Sequence, residues 1–155
     1  PEENERKAIT DAINDFERKM SYPFVPGVEN YIKSLKSNGI RTAVVTSSNL
    51  LKMENVYRCH PGFREMFDII LTSEDFSESK PSPYCYLKAM RLFGAGPEDC
   101  VVFEDSLAGL QAARASGAFV TALTTTNPEE VVMNYADLVI RDFNDSGIGA
   151  NGLPH

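Results

Sequence analysis

The chain has 155 residues, of which 43% are hydrophobic and 24% are charged, with a formal net charge of -7 and an isoelectric point near 4.8. This composition is typical of one soluble globular domain that is long enough to bury a core. The acidic balance argues against a broad surface for nucleic acid or for an anionic membrane.

The three cysteines, Cys59, Cys85 and Cys100, lie far apart and form no Cys-x-x-Cys pair. An odd number of widely spaced cysteines indicates reduced thiols, not a disulfide framework or a zinc site. No apolar run is long enough to span a membrane, and no signal peptide is visible. We therefore expect a cytoplasmic protein in a reducing compartment.

Residues 1–20 predict one amphipathic helix, because apolar side chains recur at spacings of four, three and four residues. These side chains are Ile9, Ile13, Phe16 and Met20. The segment at 22–27 contains two prolines and a glycine, which break the helix and predict a linker.

From residue 28 onward, segments with a helical pattern alternate with short apolar runs, which predict strands. The predicted helices are Val28–Ser37, Leu50–Arg58, Tyr84–Phe93, Leu107–Ala115 and 128–133. The predicted strands are Thr42–Val45, Phe67–Leu71, Val101–Phe103, Val120–Leu123 and Ala136–Ile140. This alternation predicts a Rossmann-like α/β fold, an open parallel sheet with helices on both faces. From Asn144 the chain is rich in Gly, Asn and Asp, and we expect it to be mostly disordered.

Glu104 and Asp105 directly follow a buried strand and precede Ser106, which suits a helix N-cap. The carboxyl ends of strands form the ligand-binding edge of open α/β sheets. Two adjacent carboxylates at such an edge repel each other, and Mg²⁺ would satisfy both with oxygen ligands. The alternative is a solvated turn whose acidic residues favour the following helix N-terminus.

Thr46, Ser47 and Ser48 form a hydroxyl cluster where a predicted strand ends and a helix begins. Hydroxyls and backbone N–H groups at this position can bind a phosphate oxygen, although an ordinary N-cap cluster explains the same residues. Lys80 precedes a segment with prolines at 81 and 83, which would fix the direction of its ammonium group. The alternative for Lys80 is a surface lysine before a helix.

Three motifs resemble those of the haloacid dehalogenase-like hydrolases, in the order in which that family carries them. The stretch 103–113, continued by Gly117-Ala118, resembles the fourth motif and is most similar to the β-phosphoglucomutase-like phosphatases. The stretch 43–48 resembles the second motif, and Ser79-Lys80-Pro81-x-Pro83 resembles the third. The resemblance covers about residues 1–143.

The resemblance implies a role for each matching residue. Thr46 would hydrogen-bond the transferring phosphoryl group, and Lys80 would neutralise charge on that group and on the nucleophile. The residues after Thr46, namely Ser47, Ser48 and Asn49, would lie where the family contacts phosphate or substrate. Asn49 replaces a residue that is often basic in β-phosphoglucomutases. Asp105 would bind Mg²⁺ directly, and Glu104 would bind it directly or through water.

The sequence contains no Asp-x-Asp-x-Thr motif, which similar enzymes carry after their first strand and which supplies their nucleophile. We therefore expect a portion of a longer enzyme that lacks the first strand and most of the helical cap. Residues 1–22 would be the last cap helix with its return linker, 23–143 the core domain and 144–155 a disordered tail. A cleaved N-terminal segment or another chain would then fill the missing central strand.

The function implied is Mg²⁺-dependent phosphoryl transfer, as a phosphatase or phosphomutase, through an aspartyl-phosphate in the full-length protein. The substrate would be a small phosphorylated metabolite, and the chain alone would be inactive without its nucleophile. A dehalogenase of the same superfamily is one alternative, because it uses a similar aspartate without the metal. A non-catalytic binding or regulatory module is another; a receiver domain has a similar sheet, but its acidic pair follows the first strand.

Overall fold

The computed structural model of the chain describes residues 7–10, 24–145 and 147–149. In these ranges strands and helices alternate. The strands are β1 (Lys7–Thr10), β2 (Arg41–Val45), β3 (Ile69–Leu71), β4 (Cys100–Glu104), β5 (Phe119–Leu123) and β6 (Leu138–Ile140). The helices are α1 (Val28–Ser37), α2 (Leu50–Cys59), α3 (Phe63–Met66), α4 (Tyr84–Phe93), α5 (Leu107–Ser116) and α6 (Glu129–Val132). None of the helices in these ranges has the length and apolar character needed to cross a membrane.

The six strands of the described ranges form one parallel sheet in the order β3-β2-β1-β4-β5-β6. This arrangement confirms the predicted Rossmann-like α/β fold. Because the strands are parallel, their carboxyl ends lie at one edge of the sheet, where the loops that follow β2 and β4 meet. The chain order therefore brings Thr46 and the pair Glu104-Asp105 to the same edge.

Helices cover both faces of the sheet, which explains why β2 and β4 are apolar in consecutive positions. Alternate residues of β4 point to opposite faces: Val101 and Phe103 pack in a cluster with α1, α2 and α3. Cys100 and Val102 pack in a second cluster with α4 and α5. All five residues of β4, including Glu104, are buried.

The helix predicted over residues 1–20 is wrong at Lys7–Thr10, which form β1 in the middle of the sheet. Its position between β2 and β4 is the one that was expected to be missing or filled by another chain. Without β1, the facing edges of β2 and β4 would leave a row of backbone groups unpaired inside the sheet. Pairing on both sides therefore outweighs the helical spacing of the apolar residues. The remainder of residues 1–22 lies outside the described ranges.

The chain beyond β6 returns to the start of α1. Ile148 is only 6% exposed and joins the cluster that contains Phe103, and the Tyr31 hydroxyl donates to the Gly149 carbonyl over 2.7 Å. The prediction of disorder from Asn144 is therefore wrong for residues 144, 145 and 147–149, because an apolar side chain and a backbone acceptor anchor them. The other residues of the predicted tail lie outside the described ranges.

Candidate active site

Lys80 joins the ends of two strands at the carboxyl edge of the sheet. Its Nζ donates to the Val45 carbonyl over 3.3 Å, at the end of β2, and to Glu104 Oε1 over 3.4 Å, at the end of β4. The Lys80 side chain is 6% exposed and the Glu104 side chain is 2% exposed. The ion pair is thus almost fully removed from water, and its geometry fixes the ammonium group where Thr46 follows β2.

Both carboxylate oxygens of Glu104 accept hydrogen bonds. Oε1 also accepts from the fully buried Tyr86 hydroxyl over 2.7 Å, and Oε2 accepts from Ser106 through its Oγ at 2.9 Å and its backbone N–H at 3.3 Å. Burial is the largest influence and would by itself raise the pKa of Glu104. The charge of Lys80 and these hydrogen bonds outweigh it and hold the pKa of Glu104 below its ordinary value.

Gly109 leaves the space that the Glu104 side chain occupies. It lies in the first turn of α5, where its backbone N–H donates to Oγ of the N-cap residue Ser106 over 3.0 Å. A Cβ atom at residue 109 would lie 2.2 Å from Glu104 Cδ and 2.4 Å from Oε2. Only glycine therefore lets α5 approach β4 closely enough for the buried carboxylate to keep its position.

Asp105 is held by the loop between β5 and α6. Its Oδ2 accepts from the Thr125 hydroxyl at 3.0 Å and the Thr126 hydroxyl at 2.5 Å, and its carbonyl oxygen accepts from Asn127 Nδ2 at 3.3 Å. Burial and then the charge of Glu104 raise the pKa of Asp105, and the two hydroxyls oppose this rise without cancelling it. No described residue donates a hydrogen bond to Oδ1.

The residues predicted to bind phosphate form the turn between β2 and α2. Thr46 is buried, and its Oγ1 accepts from the Ser48 backbone N–H over 3.1 Å, which closes the turn. Asn49 is the N-cap of α2 and accepts from the Lys52 N–H over 2.8 Å. Ser47 and Asn49 are exposed at the mouth of the site. The structure thus places all four residues at the start of α2, directly after the Val45 carbonyl that accepts from Lys80, and their contacts with phosphate stay a prediction.

Several residues of the site had escaped the sequence analysis. Thr125, Thr126 and Asn127 lie two to four residues after strand β5, so the strand-end argument that found Thr46 would also have found them. Tyr86 follows the apolar spacing of α4 and gives no signal that its hydroxyl reaches a carboxylate. Gly109 shows no turn signal, because its role depends on how closely a helix approaches a strand.

The donor set fits one side of a site for a hard divalent cation. Oδ1 of Asp105 is an oxygen ligand of the required kind, and a cation there would relieve the repulsion between Asp105 and Glu104. Glu104 has both oxygens in hydrogen bonds, which suits contact through water better than direct ligation. Among the described residues, no group of three or more His, Cys, Asp or Glu side chains could hold a metal ion. Asp105 would therefore be one ligand among others.

A parallel sheet with a buried lysine, a threonine and paired carboxylates at its carboxyl edge defines a class of hydrolase. A sequence model of that class, the haloacid dehalogenase-like hydrolases, matches residues 2–117, and the chain belongs to this family. Its relatives include solved members of the β-phosphoglucomutase-like group, which confirms the resemblance drawn from the three motifs.

Three relatives show the extent of the similarity. The bifunctional riboflavin kinase/FMN phosphatase of Arabidopsis thaliana is 33% identical over 130 residues, which are 84% of this chain and 34% of that protein. A variant of CbbY from Rhodobacter sphaeroides, solved in complex with xylulose-1,5-bisphosphate, is 32% identical with a TM-score of 0.75, covering 88% of this chain and 63% of the other. A candidate β-phosphoglucomutase from Thermotoga maritima is 25% identical with a TM-score of 0.70, covering 80% of this chain and 59% of the other. The chain thus spans less than two thirds of each of these relatives.

Proposed function

We propose that this chain provides the phosphate-binding half of a Mg²⁺-dependent phosphatase or phosphomutase that acts on a small phosphorylated metabolite. The observation that carries the proposal is the buried ammonium group of Lys80, held at the carboxyl edge beside Thr46 and within hydrogen-bond distance of Glu104. The similarity to an FMN phosphatase and to a protein solved with a sugar bisphosphate supports the same substrate class. The cysteine thiols support a reducing, cytoplasmic location.

Each residue has a distinct task in the proposed reaction. Lys80 stabilises negative charge that develops on the transferred phosphoryl group, because its ammonium is fixed and shielded from water. Thr46 donates its hydroxyl to a phosphoryl oxygen. The turn formed by Ser47, Ser48 and Asn49 presents hydroxyls, an amide and the start of α2 to the phosphate or to the rest of the substrate.

Asp105 would hold the metal ion, and Glu104 would contribute directly or through a water molecule. The bound ion supplies positive charge that offsets the charge of the phosphate. Glu104 has a second task that follows from its contacts, since it fixes Lys80 and separates that ammonium from solvent. Loss of Glu104 would therefore affect both the lysine and the cation.

The carboxylate that attacks phosphorus and the acid–base aspartate are not supplied by an Asp-x-Asp-x-Thr motif in these 155 residues. We propose that they belong to a longer protein. There the carboxylate would displace the alcohol of the phosphate ester to form an aspartyl-phosphate, and the acid–base aspartate would protonate the leaving oxygen. Water or an acceptor hydroxyl would then take up the phosphoryl group and release the carboxylate. The isolated chain should accordingly bind phosphate without hydrolysing phosphate esters.

Two measurements on the isolated chain test this proposal. Hydrolysis of p-nitrophenyl phosphate with added Mg²⁺ should stay at the uncatalysed rate; enzymatic turnover would refute the claim of inactivity. Titration of inorganic phosphate into the isotope-labelled chain should shift the amide NMR signals of residues 46–49, and Thr46→Val should weaken this binding. The proposed site would be refuted if phosphate bound without shifting the signals of residues 46–49. It would also be refuted if Thr46→Val bound phosphate as tightly as wild type.

A matched pair of lysine variants distinguishes phosphate binding at the site from non-specific attraction of phosphate to positive charge. Lys80→Met should abolish the phosphate response, whereas Lys88→Met should preserve it, because Lys88 donates to the Asp75 carbonyl over 2.6 Å, outside the site. In the longer protein, phosphatase activity should disappear with a chelator. Phosphatase activity that survives the chelator would refute the metal requirement, and cleavage of a haloacid without added metal would favour the dehalogenase alternative.

A further inference from the structure

We propose that Thr125 and Thr126 are positioning residues, which hold Asp105 so that its Oδ1 faces the metal site. This inference rests on the proposed function, because it concerns the same cation. It assigns a role to the loop between β5 and α6, which none of the three sequence motifs contains.

The hydrogen bonds to Asp105 are unevenly divided between its two carboxylate oxygens. Both threonine hydroxyls donate to Oδ2, at 3.0 Å from Thr125 and 2.5 Å from Thr126. Because two donors converge on one oxygen, the carboxylate plane is fixed and Oδ1 keeps its lone pairs for another partner. Outer hydrogen bonds of this kind orient metal ligands and typically affect metal affinity by about 10- to 100-fold.

The loop is anchored at several points, so it can impose this geometry. Ala122 in β5 pairs with Glu104 in β4, which brings the end of β5 beside Asp105. The Thr124 backbone N–H donates to the Ile140 carbonyl at the end of β6 over 3.1 Å. The Asn127 side-chain amide donates to the Asp105 carbonyl oxygen over 3.3 Å. The same loop therefore fixes both the main chain and the side chain of Asp105.

The type of hydrogen-bond donor determines how much negative charge stays on the Asp105 carboxylate. Asp105 is half-buried beside Glu104, whose carboxylate is already paired with Lys80. The threonine hydroxyls are neutral, so they orient the Asp105 carboxylate without neutralising it. The negative charge at Oδ1 is thereby kept for a cation, whereas a lysine or arginine in the loop would cancel it.

The test uses Mn²⁺ as the probe and the isotope-labelled 155-residue chain, with the dissociation constant read from paramagnetic broadening of the amide signals around Asp105. Asp105→Asn should abolish the broadening. The double variant Thr125→Val/Thr126→Val should weaken Mn²⁺ binding by about 10-fold or more. The double variant Thr125→Ser/Thr126→Ser keeps both hydroxyls and should bind within about twofold of wild type.

Thr124→Val is the matched control, because it removes a neighbouring threonine hydroxyl that does not donate to Asp105, and it should leave binding unchanged. If the double valine variant is unfolded, the single variant Thr126→Val, at an exposed position, replaces it and should weaken binding about threefold. Valine variants that bind as wild type, while Asp105→Asn does not bind, would overturn the positioning role alone. An unaltered response in Asp105→Asn, or no response in wild type, would overturn the metal site and this inference together.

Discussion

Replacing Gly109 with alanine tests whether the buried carboxylate of Glu104 depends on the close approach of α5 to β4. The new Cβ atom would lie 2.2 Å from Glu104 Cδ and 2.5 Å from its Cγ, well inside any real contact distance. The helix backbone cannot move away without breaking the N-cap hydrogen bond from Gly109 to Ser106. We therefore expect the Glu104 side chain to leave its position.

The size of the effect follows from two opposing contributions. Alanine favours a helix interior over glycine by about 1 kcal/mol, so without a clash the variant would be more stable than wild type. A displaced Glu104 loses its bonds from Lys80, Tyr86 and Ser106, and breaking a buried ion pair in this way costs about 3–5 kcal/mol. The free energy of unfolding should therefore fall by about 2–4 kcal/mol.

Urea denaturation followed by circular dichroism measures this difference. Gly62→Ala is the matched control, because its added Cβ meets nothing within 4 Å and its φ is -87°, and it should change stability by less than about 0.5 kcal/mol. In a Glu104→Ala background the clash is absent, and Gly109→Ala should become neutral or stabilising. A Gly109→Ala variant as stable as Gly62→Ala in the wild-type background would refute the reasoning.

Three further predictions concern the core, the thiols and the C-terminal turn. Thr121→Val should raise the free energy of unfolding by about 1 kcal/mol, because no described residue pairs with the buried Thr121 hydroxyl; a destabilised variant in thermal melts would contradict this. A thiol reagent should modify exposed Cys59 in the native chain and leave the buried Cys85 and Cys100 unmodified; burial also raises the pKa of the Cys85 thiol. Equal labelling of all three cysteines in mass spectra would contradict this. Asp145→Ala should lower stability by about 1 kcal/mol at pH 7. Backbone N–H donors lower the folded-state pKa of Asp145, so its contribution to the free energy of unfolding is present above the ordinary pKa and is lost as pH falls through the lowered value. Urea denaturation at each pH measures this, and a difference between Asp145→Ala and wild type that persists in strong acid would contradict the prediction.

The sequence was sufficient for most of the fold, because each buried strand is a short apolar run between polar turns. The predicted helix Val28–Ser37 has the observed bounds, and the strand ends before Thr46 and Asp105 lie close to where they were expected. The exception is Lys7–Thr10, where the helical spacing of Ile9 and later residues concealed a strand. That strand exists through hydrogen bonds to two distant segments, and local periodicity carries no information about them.

The candidate site was predictable to the extent that it depends on strand ends. Their places after a strand and before a rigid segment made Glu104, Asp105 and Lys80 candidates, with a solvated turn and a surface lysine as alternatives, and the resemblance to the family motifs decided between them. Tyr86 could not be identified in this way, because an aromatic residue on the buried face of a helix is explained by packing alone. Gly109 could not either, since the need for glycine arises from the close packing of α5 on β4, which the local sequence pattern does not reveal.

The central position of β1 has a consequence for how copies of the chain can associate. Lys7 pairs with Arg41 on one side and with Cys100 on the other, so this central strand makes the strand pairings that are most distant along the described chain. Non-local contacts of this kind cost the most loop-closure entropy, so they form slowly compared with local contacts. If β1 leaves, the sheet divides into a two-stranded block, β3-β2, and a three-stranded block, β4-β5-β6, each with an unpaired inner edge. The same strand from a second molecule can satisfy both edges with identical hydrogen bonds, so exchange of β1 between copies would yield dimers whose proportion rises with protein concentration.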